Sequence, residues 1–348
     1  MADTIKVTNN YLRDILDQPL ALVNSLEAWK GNLDLHEVKH LFASERYKRV
    51  ILTGMGSSYY ALYPLYLKMI QHCISVYWIE TSELIHYGPE LFQRDNLLIA
   101  VSQSGESAEI ISLLDKNRGK ATLIGVTNSP KSSLALRGDY CHITHAGVEA
   151  TVSCKTYLTA LASLSILGEY ILNGSVDDVF DDLALGVSAV KKYLEKWQDH
   201  IEQLKNELTG IRNIVFTGRG ASLAAVYTAG LIIKESAHFI SEGMSSASFR
   251  HGPFEMVSPN MFVMVYSGNL LTSSLNERLV FDIAANGGKA RLIFEGDTSN
   301  PFIIPEVPEV SLPLVEILPA QLVSIALAHL HGHEPGLFSL ASKVTQNE

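Results

Sequence analysis

Short apolar runs alternate with amphipathic segments along most of this chain. Apolar runs fall at 50–53, 75–79, 97–101 and 121–127. Each is followed by a segment with helical apolar periodicity, at 59–71, 82–87, 108–118 and 132–137. Strands that alternate with helices in this way predict a parallel sheet covered by helices on both faces, and therefore an α/β fold.

A second round of the same alternation begins at Asn213. It predicts strands at 214–217, 261–266, 290–294 and 310–312, and a closing helix at 320–330. An apolar helix at 155–172 and a longer polar helix at 177–209 separate the two rounds. Residues 9–47 also have helical periodicity, interrupted at Pro19.

The second round is a faint copy of the first, displaced by 164 positions. Residues 49–58 read RVILTGMGSS and residues 213–222 read NIVFTGRGAS, and the same offset relates Gly88-Pro89 to Gly252-Pro253 and 97–101 to 261–265. Such an offset indicates a duplicated domain. We therefore expect an N-terminal helical segment (1–45), a first domain (46–175), a connecting helix (176–210), a second domain (211–335) and a C-terminal tail (336–348).

The two copies differ at positions that carry chemistry. After residue 101 the first copy reads SQSGES, whereas the second copy reads YSGNLL after residue 265. Conversely, Gln71 and Tyr87 of the first copy correspond to Glu235 and His251 of the second. One half thus keeps an anion site and the other holds an acid/base pair, as expected of an active site shared between two halves.

Composition argues against several classes of function. The 348 residues carry a net charge of −10 with no run of Lys or Arg, which disfavours nucleic acid as a partner. The polar N-terminus, and the absence of an uncharged apolar run of spanning length, predict a cytoplasmic protein without a membrane partner. The three cysteines are expected to be reduced, buried thiols. His329, His331 and His333 would be scattered around a helix, so no metal is expected.

Two serine-rich turns are candidate anion sites. The first follows a predicted strand and opens a helix, whose free N–H groups favour an anion, and it contains Gly56, Ser57 and Ser58. The second supplies neutral donors around Gly105, namely Ser102, Gln103, Ser104 and Ser107. Alternatively, Ser104 and Ser107 only cap a helix. Both turns lie where open α/β sheets bind ligands, so together they predict a phosphate site.

Glu235 and His251 are the acid/base candidates. Apolar helix neighbours would bury Glu235 and raise its pKa, which suits a general base. The alternative is a surface Glu paired with Lys234. His251 precedes the Gly252-Pro253 turn, where a histidine can shuttle protons or simply stabilise the turn.

Taken together, these motifs resemble sugar isomerase (SIS) domains. The similarity rests on the two serine turns, the 149–156 segment and the 221–253 segment, and most of the chain resembles the double-SIS isomerase half of glucosamine-6-phosphate synthase. The resemblance implies two tandem SIS domains, each a flavodoxin-like three-layer sandwich. It implies that the sugar phosphate is bound by Gly56, Ser57, Ser58, Ser102, Gln103, Ser104, Ser107 and Ser153.

The resemblance also implies roles for the acid/base pair. Glu235 would move a proton between C1 and C2, and His251 would open the sugar ring in the site of a neighbouring subunit, so a homodimer is expected. No cofactor is expected, because a carbonyl or imine already acidifies the adjacent C–H bond.

Three features depart from the synthase. The chain begins Met1-Ala2-Asp3 without a cysteine-headed glutaminase domain, which argues against net amino-sugar synthesis. Ile232 replaces a family lysine, and the order Ser342-Lys343 argues against a Schiff-base role for Lys343, the third catalytic candidate. The 251–255 segment resembles deglycases of phosphorylated Amadori compounds. We expect such a deglycase; the alternatives are an aminosugar-6-phosphate deaminase/isomerase and a non-catalytic sugar-phosphate sensor.

Overall fold

The computed structural model describes residues 9–30, 38, 47–172, 174–340 and 343. Their contacts form two compact units. The first-sheet unit contains Leu20–Val148 and Lys155–Ala184. The second-sheet unit contains Glu149–Cys154, Leu185–Ser339 and the described residues up to Pro19. The predicted domain boundaries stay a prediction.

The first-sheet unit is built on five parallel strands in the order β2-β1-β3-β4-β5. The strands are β1 (Arg49–Gly54), β2 (Val76–Glu80), β3 (Asn96–Val101), β4 (Thr122–Thr127) and β5 (Tyr140–Ile143). β3 is buried along its whole length, as expected of a central parallel strand covered on both faces.

Helices cover this sheet in two layers. One apolar core joins the sheet to the helices Thr81–Tyr87, Ala108–Asn117 and Ser133–Arg137. The other layer contains Gly56–Ala61, Tyr63–Gln71 and Lys155–Leu172, which pack on one another. The Gln18–Trp29 helix is anchored where the Trp29 indole N–H donates to the Ile143 carbonyl at 2.8 Å.

The second-sheet unit repeats this plan. Its parallel strands, in the order β10-β9-β8-β6-β7, are β6 (Asn213–Gly218), β7 (Ser241–Ser245), β8 (Met261–Tyr266), β9 (Lys289–Glu295) and β10 (Ile303–Ile304). Its helices are Asn10–Leu16, Trp197–Leu208, Leu223–Ala237, Ser246–Arg250, Ser273–Ala285 and Leu312–Leu330, while Val176–Leu194 runs across the boundary of the two units. Numbered within its own sheet, each set of strands has the order 2-1-3-4-5, the order found in flavodoxin.

The offset between the copies is not constant. β6 begins 164 positions after β1, but Ile214 pairs with Ser241 whereas Val50 pairs with Val76, so the second strands are 165 positions apart. The left-handed residues that follow the preceding helices, Cys73 and His238, are also 165 apart. The expectation of one gapless offset is therefore wrong, and the second copy has one additional residue between Gly220 and His238.

The strand predictions were incomplete. β5, β7 and β10 were missed, and the strand predicted at 310–312 is wrong, because Glu309–Ser311 is a 3₁₀ turn that leads into the last helix. That helix begins at Leu312 with Pro313 in its first turn, where the missing N–H costs no hydrogen bond. The helix predicted at 177–209 is two helices, and so is the one predicted at 59–71.

One composition-based expectation, that all three cysteines are buried, also needs correction. Cys154 is buried, but Cys141 is half-buried and Cys73 is exposed; none of the three forms a disulfide. The Glu309–Leu330 stretch is long and apolar enough to cross a membrane, although 94% of its most apolar window is buried inside the protein. That burial is typical of a core helix.

Candidate functional site

The two serine turns lie side by side at the carboxyl edge of the first sheet. β1 and β3 are neighbours, with Gly54 opposite Val101, so the turns that follow them share one edge. We call residues 56–58 and 102–107 the serine loops. Ser57 and Ser102 are buried at their base, while Ser58, Gln103, Ser104 and Ser107 are half-buried. The structure therefore brings together the two parts of the predicted phosphate site.

Hydrogen bonding within the second serine loop leaves hydroxyl donors available. The Ser102 Oγ accepts the Gly105 N–H at 3.1 Å, and the Ser104 Oγ accepts the Glu106 N–H at 3.2 Å. Ser107, rather than Ser104, precedes the Ala108–Asn117 helix, and its hydroxyl makes no capping bond. Because these oxygens accept from the backbone, the Ser102 and Ser104 hydroxyl hydrogens can point toward an anion. Helix capping alone does not explain this loop.

The shape of this loop depends on Gly105. Its φ is +66°, and a Cβ at this position would lie 2.2 Å from the Ser132 Oγ. The Gly105 carbonyl also accepts the Leu134 N–H at 3.2 Å. The Glu106 carboxylate accepts bonds from the backbone and hydroxyl of Ser133, so this acid holds the next helix rather than serving a ligand.

Glu235 lies near the end of the Leu223–Ala237 helix in the second-sheet unit. This helix lies directly against β7, since a Cβ on Gly243 would be 2.2 Å from the Val226 carbonyl oxygen and one on Gly230 would be 2.4 Å from the Gly243 nitrogen. Two glycines thus allow helix and strand to approach closely, which fixes the position of Glu235. Any larger residue at the crossing would push the helix away from the strand.

The environment of Glu235 suits a general base. Lys234 does not pair with it, because the Lys234 Nζ faces Glu242 on the exposed side at 3.5 Å. Burial is the main cause that raises the pKa of Glu235 to about 7, and the negative charge of Glu149 adds to the rise. A carboxyl with a near-neutral pKa is about half ionised at physiological pH. Its ionised form is therefore present in quantity and is a stronger base than an ordinary carboxylate. The surface-pair alternative is therefore wrong.

Glu149 reaches this neighbourhood through a short inserted segment. Glu149–Cys154 belongs to the second-sheet unit although it follows the first sheet in sequence. Glu149 is 7% exposed, and its Oε1 accepts the Cys154 N–H at 2.9 Å. The Ala150 N–H donates to Asp14 at 2.7 Å, which ties the segment to the Asn10–Leu16 helix. A buried acid is thus held beside Glu235.

Tyr11 completes the cluster around the base. It is fully buried, and burial raises the pKa of its phenol well above the ordinary value, with smaller contributions from Cys154, Glu235 and Glu149. Its hydroxyl lies 3.4 Å from the Ser324 Oγ. We call Tyr11, Glu149, Cys154 and Glu235 the acid cluster. Of these residues, sequence reasoning named only Glu235 as a site residue, although the 149–156 segment had contributed to the family resemblance.

The remaining predicted site residues occupy three different parts of the chain. His251 is exposed and ends the Ser246–Arg250 helix, and Glu255 is exposed in the turn that follows. Ser153 lies in the inserted segment with Glu149. Lys343 is half-buried, and both of its sequence neighbours fall outside the described residues.

One correspondence between the copies changes with the additional residue. Counted back from the left-handed residues Cys73 and His238, Glu235 falls opposite Ile70 rather than Gln71.

In the described ranges, no group of three His, Cys, Asp or Glu side chains is arranged to hold a metal. His331 packs on Phe239 with ring centres 5.0 Å apart instead.

Comparison with known proteins supports the resemblance inferred from the motifs. Residues 45–169 match the SIS domain family. The isomerizing glutamine–fructose-6-phosphate aminotransferase of Pyrococcus horikoshii is 30% identical over 339 residues, which cover 93% of this chain and 55% of the relative. The chain thus spans about half the length of the curated relatives that it matches.

Solved structures share the fold over nearly the whole chain. The C-terminal domain of the glucosamine–fructose-6-phosphate aminotransferase from Francisella tularensis superposes with a TM-score of 0.83 at 22% identity, covering 97% of this chain and 100% of that one. A glucosamine-6-phosphate deaminase from Thermotoga maritima gives a TM-score of 0.79 at 20% identity with the same coverage. The resemblance is confirmed as a similarity: residues 45–169 match the SIS domain family, and the chain is similar in sequence to the isomerizing aminotransferases.

Proposed function

We propose that this protein is a phosphosugar enzyme that moves a proton between C1 and C2 of a 6-phosphorylated sugar carrying nitrogen. The preferred reaction is deglycation of a phosphorylated Amadori compound. The observation that carries the proposal is Glu235, a half-buried carboxyl with a pKa of about 7 beside a second buried acid. A surface glutamate has no such environment, and a non-catalytic sugar-phosphate sensor would have no use for it.

The serine loops are proposed to hold the phosphate. Ser57, Ser58, Ser102, Gln103, Ser104 and Ser107, with the backbone of Gly56, supply neutral donors at the carboxyl edge of the first sheet. Neutral donors bind a dianion without the need to bury several lysines, and the first helix turn adds the favourable end of its dipole. Ser153 is proposed to contact the sugar from the inserted segment.

The chemistry follows from an aminoketose substrate, with the amine on C1 and the carbonyl at C2. The Glu235 carboxylate takes a proton from C1, and the electrons of the C–H bond form a C1–C2 double bond as the C2 oxygen gains a proton. The Glu235 carboxyl then returns its proton to C2, and the nitrogen lone pair is released into an imine at C1. Addition of water across the imine and departure of the amine give the aldose 6-phosphate.

His251 is proposed to open the sugar ring and to protonate the leaving amine. Its exposure in the described unit is compatible with a role in the site of a neighbouring subunit. We therefore propose a homodimer in which each subunit lends His251 to the other. Lys343 is given no chemical step, because its place in the tail suggests none.

We also propose that the second sheet belongs to a second SIS domain, so that residues 46–175 and 211–335 form a tandem pair of flavodoxin-like sandwiches. The shared strand order and the repeated glycine turn support this division. A cytoplasmic location is proposed as well, since three cysteines that form no disulfide fit a reducing compartment.

The alternative enzyme is an aminosugar-6-phosphate deaminase/isomerase, which differs in releasing ammonia instead of an amine. The likeness to the Thermotoga maritima deaminase concerns the fold and does not choose between them. Preference for the deglycase rests on the resemblance of residues 251–255 to that group.

The test is a substrate panel with paired variants. Purified protein is incubated with phosphorylated Amadori adducts of several amino acids and with glucosamine 6-phosphate, and released amino acid, ammonia and sugar phosphate are measured. Glu235→Gln should abolish release, whereas Glu242→Gln, which removes an exposed acid on the far side of Lys234, should not. Ammonia without amino acid release would favour the deaminase. Binding without turnover of any sugar phosphate would favour the sensor.

A further inference from the structure

A further buried carboxyl of the second-sheet unit lies on the Leu312–Leu330 helix. Glu316 is 1% exposed. Its Oε1 accepts the Ser222 hydroxyl at 2.7 Å, while its Oε2 is buried and has no hydrogen-bond partner in the described part of the chain. Burial raises the pKa of Glu316 to about 8, and the charge of Glu295 adds to the rise. The proposed catalysis makes no use of this residue.

Glu316 lies where open α/β sheets bind ligands. Ser222 ends the turn after β6, and Gly268 follows the neighbouring strand β8, at the point where the strand order reverses. A Cβ on Gly268 would lie 3.2 Å from the Ser222 Oγ and 3.7 Å from the Thr272 Oγ1. The Thr272 Oγ1 is buried and also has no partner among the described residues. The Ser222 and Thr272 hydroxyls therefore both lie near the place that a side chain at Gly268 would fill. The Ser222 hydroxyl also donates to the buried Glu316.

The charge of this region is opposite to what an anion requires. In the serine loops of the first sheet the donors are neutral and the Glu106 carboxylate is bonded to Ser133. Here the Ser222 hydroxyl already donates to a carboxyl, and the charge of Glu295 is near. Arg219 belongs to the same turn, but its buried Nε has no hydrogen-bond partner and it makes no hydrogen bond to Glu316. A phosphate at this place would lie against the Glu316 carboxyl, whereas the serine loops of the first sheet would offer it hydrogen-bond donors.

We propose that Glu316, Ser222 and Thr272 form a binding site for a monovalent cation of the size of potassium or ammonium. A buried carboxylate without a counter-charge is strongly disfavoured. Its protonated form leaves a buried O–H without an acceptor, which also has a cost. A single cation resolves both problems, and one carboxylate with hydroxyl oxygens balances one charge. Sites for calcium or magnesium usually contain several carboxylates or keep bound waters, which gives them more oxygen ligands than this site has. A divalent ion therefore suits this site less well than a monovalent one. We call these residues the Glu316 site.

Thermal unfolding of the full chain tests this site independently of catalysis. The melting temperature is measured in potassium chloride, ammonium chloride and N-methylglucamine chloride at equal ionic strength. Potassium or ammonium should raise it by about 1–2 °C over the bulky cation, because the ligand binds only the folded state. The salt with the larger rise identifies the preferred ion.

Variants separate specific binding from a general salt effect. Glu316→Gln and the nearly isosteric Thr272→Val should each remove the difference between salts. Glu309→Gln, which alters an exposed acid bonded to Asn269, should keep it. If Glu316→Gln does not fold, Thr272→Val alone gives the answer. Equal melting temperatures in the three salts, or a difference that persists in Thr272→Val, would overturn the proposal.

Discussion

Removal of the Glu149 charge should shift the pH dependence of catalysis. Folding raises the pKa of Glu235 from 4.5 to about 7, with burial as the larger cause and Glu149 as the second. Loss of the second cause alone should therefore lower that pKa by less than the full rise, because burial remains. Since Glu235 acts as a base in its ionised form, the acid limb of the kcat profile should move to lower pH by the same amount. Glu149→Gln is the suitable change, because its side-chain oxygen can still accept the Cys154 N–H.

Two measurements check this expectation. The pH profile of kcat is recorded from pH 5 to 9 with the best substrate of the panel, and the Glu235 carboxyl is titrated directly by carbon NMR in the free protein. Glu242→Gln is the control, since that acid faces Lys234 on the exposed side. An acid limb that stays in place or rises in Glu149→Gln would refute the idea that Glu149 holds the base near neutrality.

Three further outcomes are expected. The pKa of Glu235 rises from 4.5 to about 7 on folding, so the wild-type protein loses stability as the pH rises from 4.5 through 7. Glu235→Gln should therefore stabilise the fold at pH 8 by up to about 3 kcal/mol and have no effect below pH 4.5. Urea unfolding at pH 8 and below pH 4.5 measures both free energies of unfolding. Ser102→Ala and Ser104→Ala should raise KM more than they lower kcat, because the phosphate is a remote handle, whereas Ser267→Ala should change neither; steady-state kinetics of the three variants decides. The inactive variants Glu235→Gln and His251→Asn are dissociated, mixed and allowed to reassociate. If each site of the dimer uses both chains, about a quarter of wild-type activity should return, because half of the dimers are mixed and each of these has one intact site of two. No recovery despite confirmed subunit exchange would mean that each site is built within one chain.

The sequence predicted the sheets best where the strands are central. β1, β3, β6 and β8 are continuous apolar runs that end in turns, and buried parallel strands require this composition. β7 was missed because Ser241–Ser245 contains a glycine and polar residues that disfavour strands. Its position depends on the close approach of Gly243 to the Leu223–Ala237 helix, a tertiary contact that no local pattern reveals.

The candidate site was predictable only in part, for a similar reason. Serine loops and Glu235 follow from local motifs, because strand ends and helix neighbours are visible in the sequence. Glu149 and Tyr11 belong to a loop and a helix distant in sequence from Glu235, and only folding brings these side chains into its neighbourhood. The pairing of Lys234 with Glu242 likewise depends on the strand that was missed.

The left-handed residues that follow two corresponding helices, Cys73 and His238, show how two similar sheets can carry different chemistry. Counted back from these residues, Glu235 and Ile70 occupy the same place, three residues earlier on the helix. Ile70 is 45% exposed, whereas Glu235 is half-buried in the neighbourhood of Glu149. The different chemistry of the second sheet therefore required no new scaffold: at one place on a helix a carboxyl stands where the first sheet has an apolar side chain.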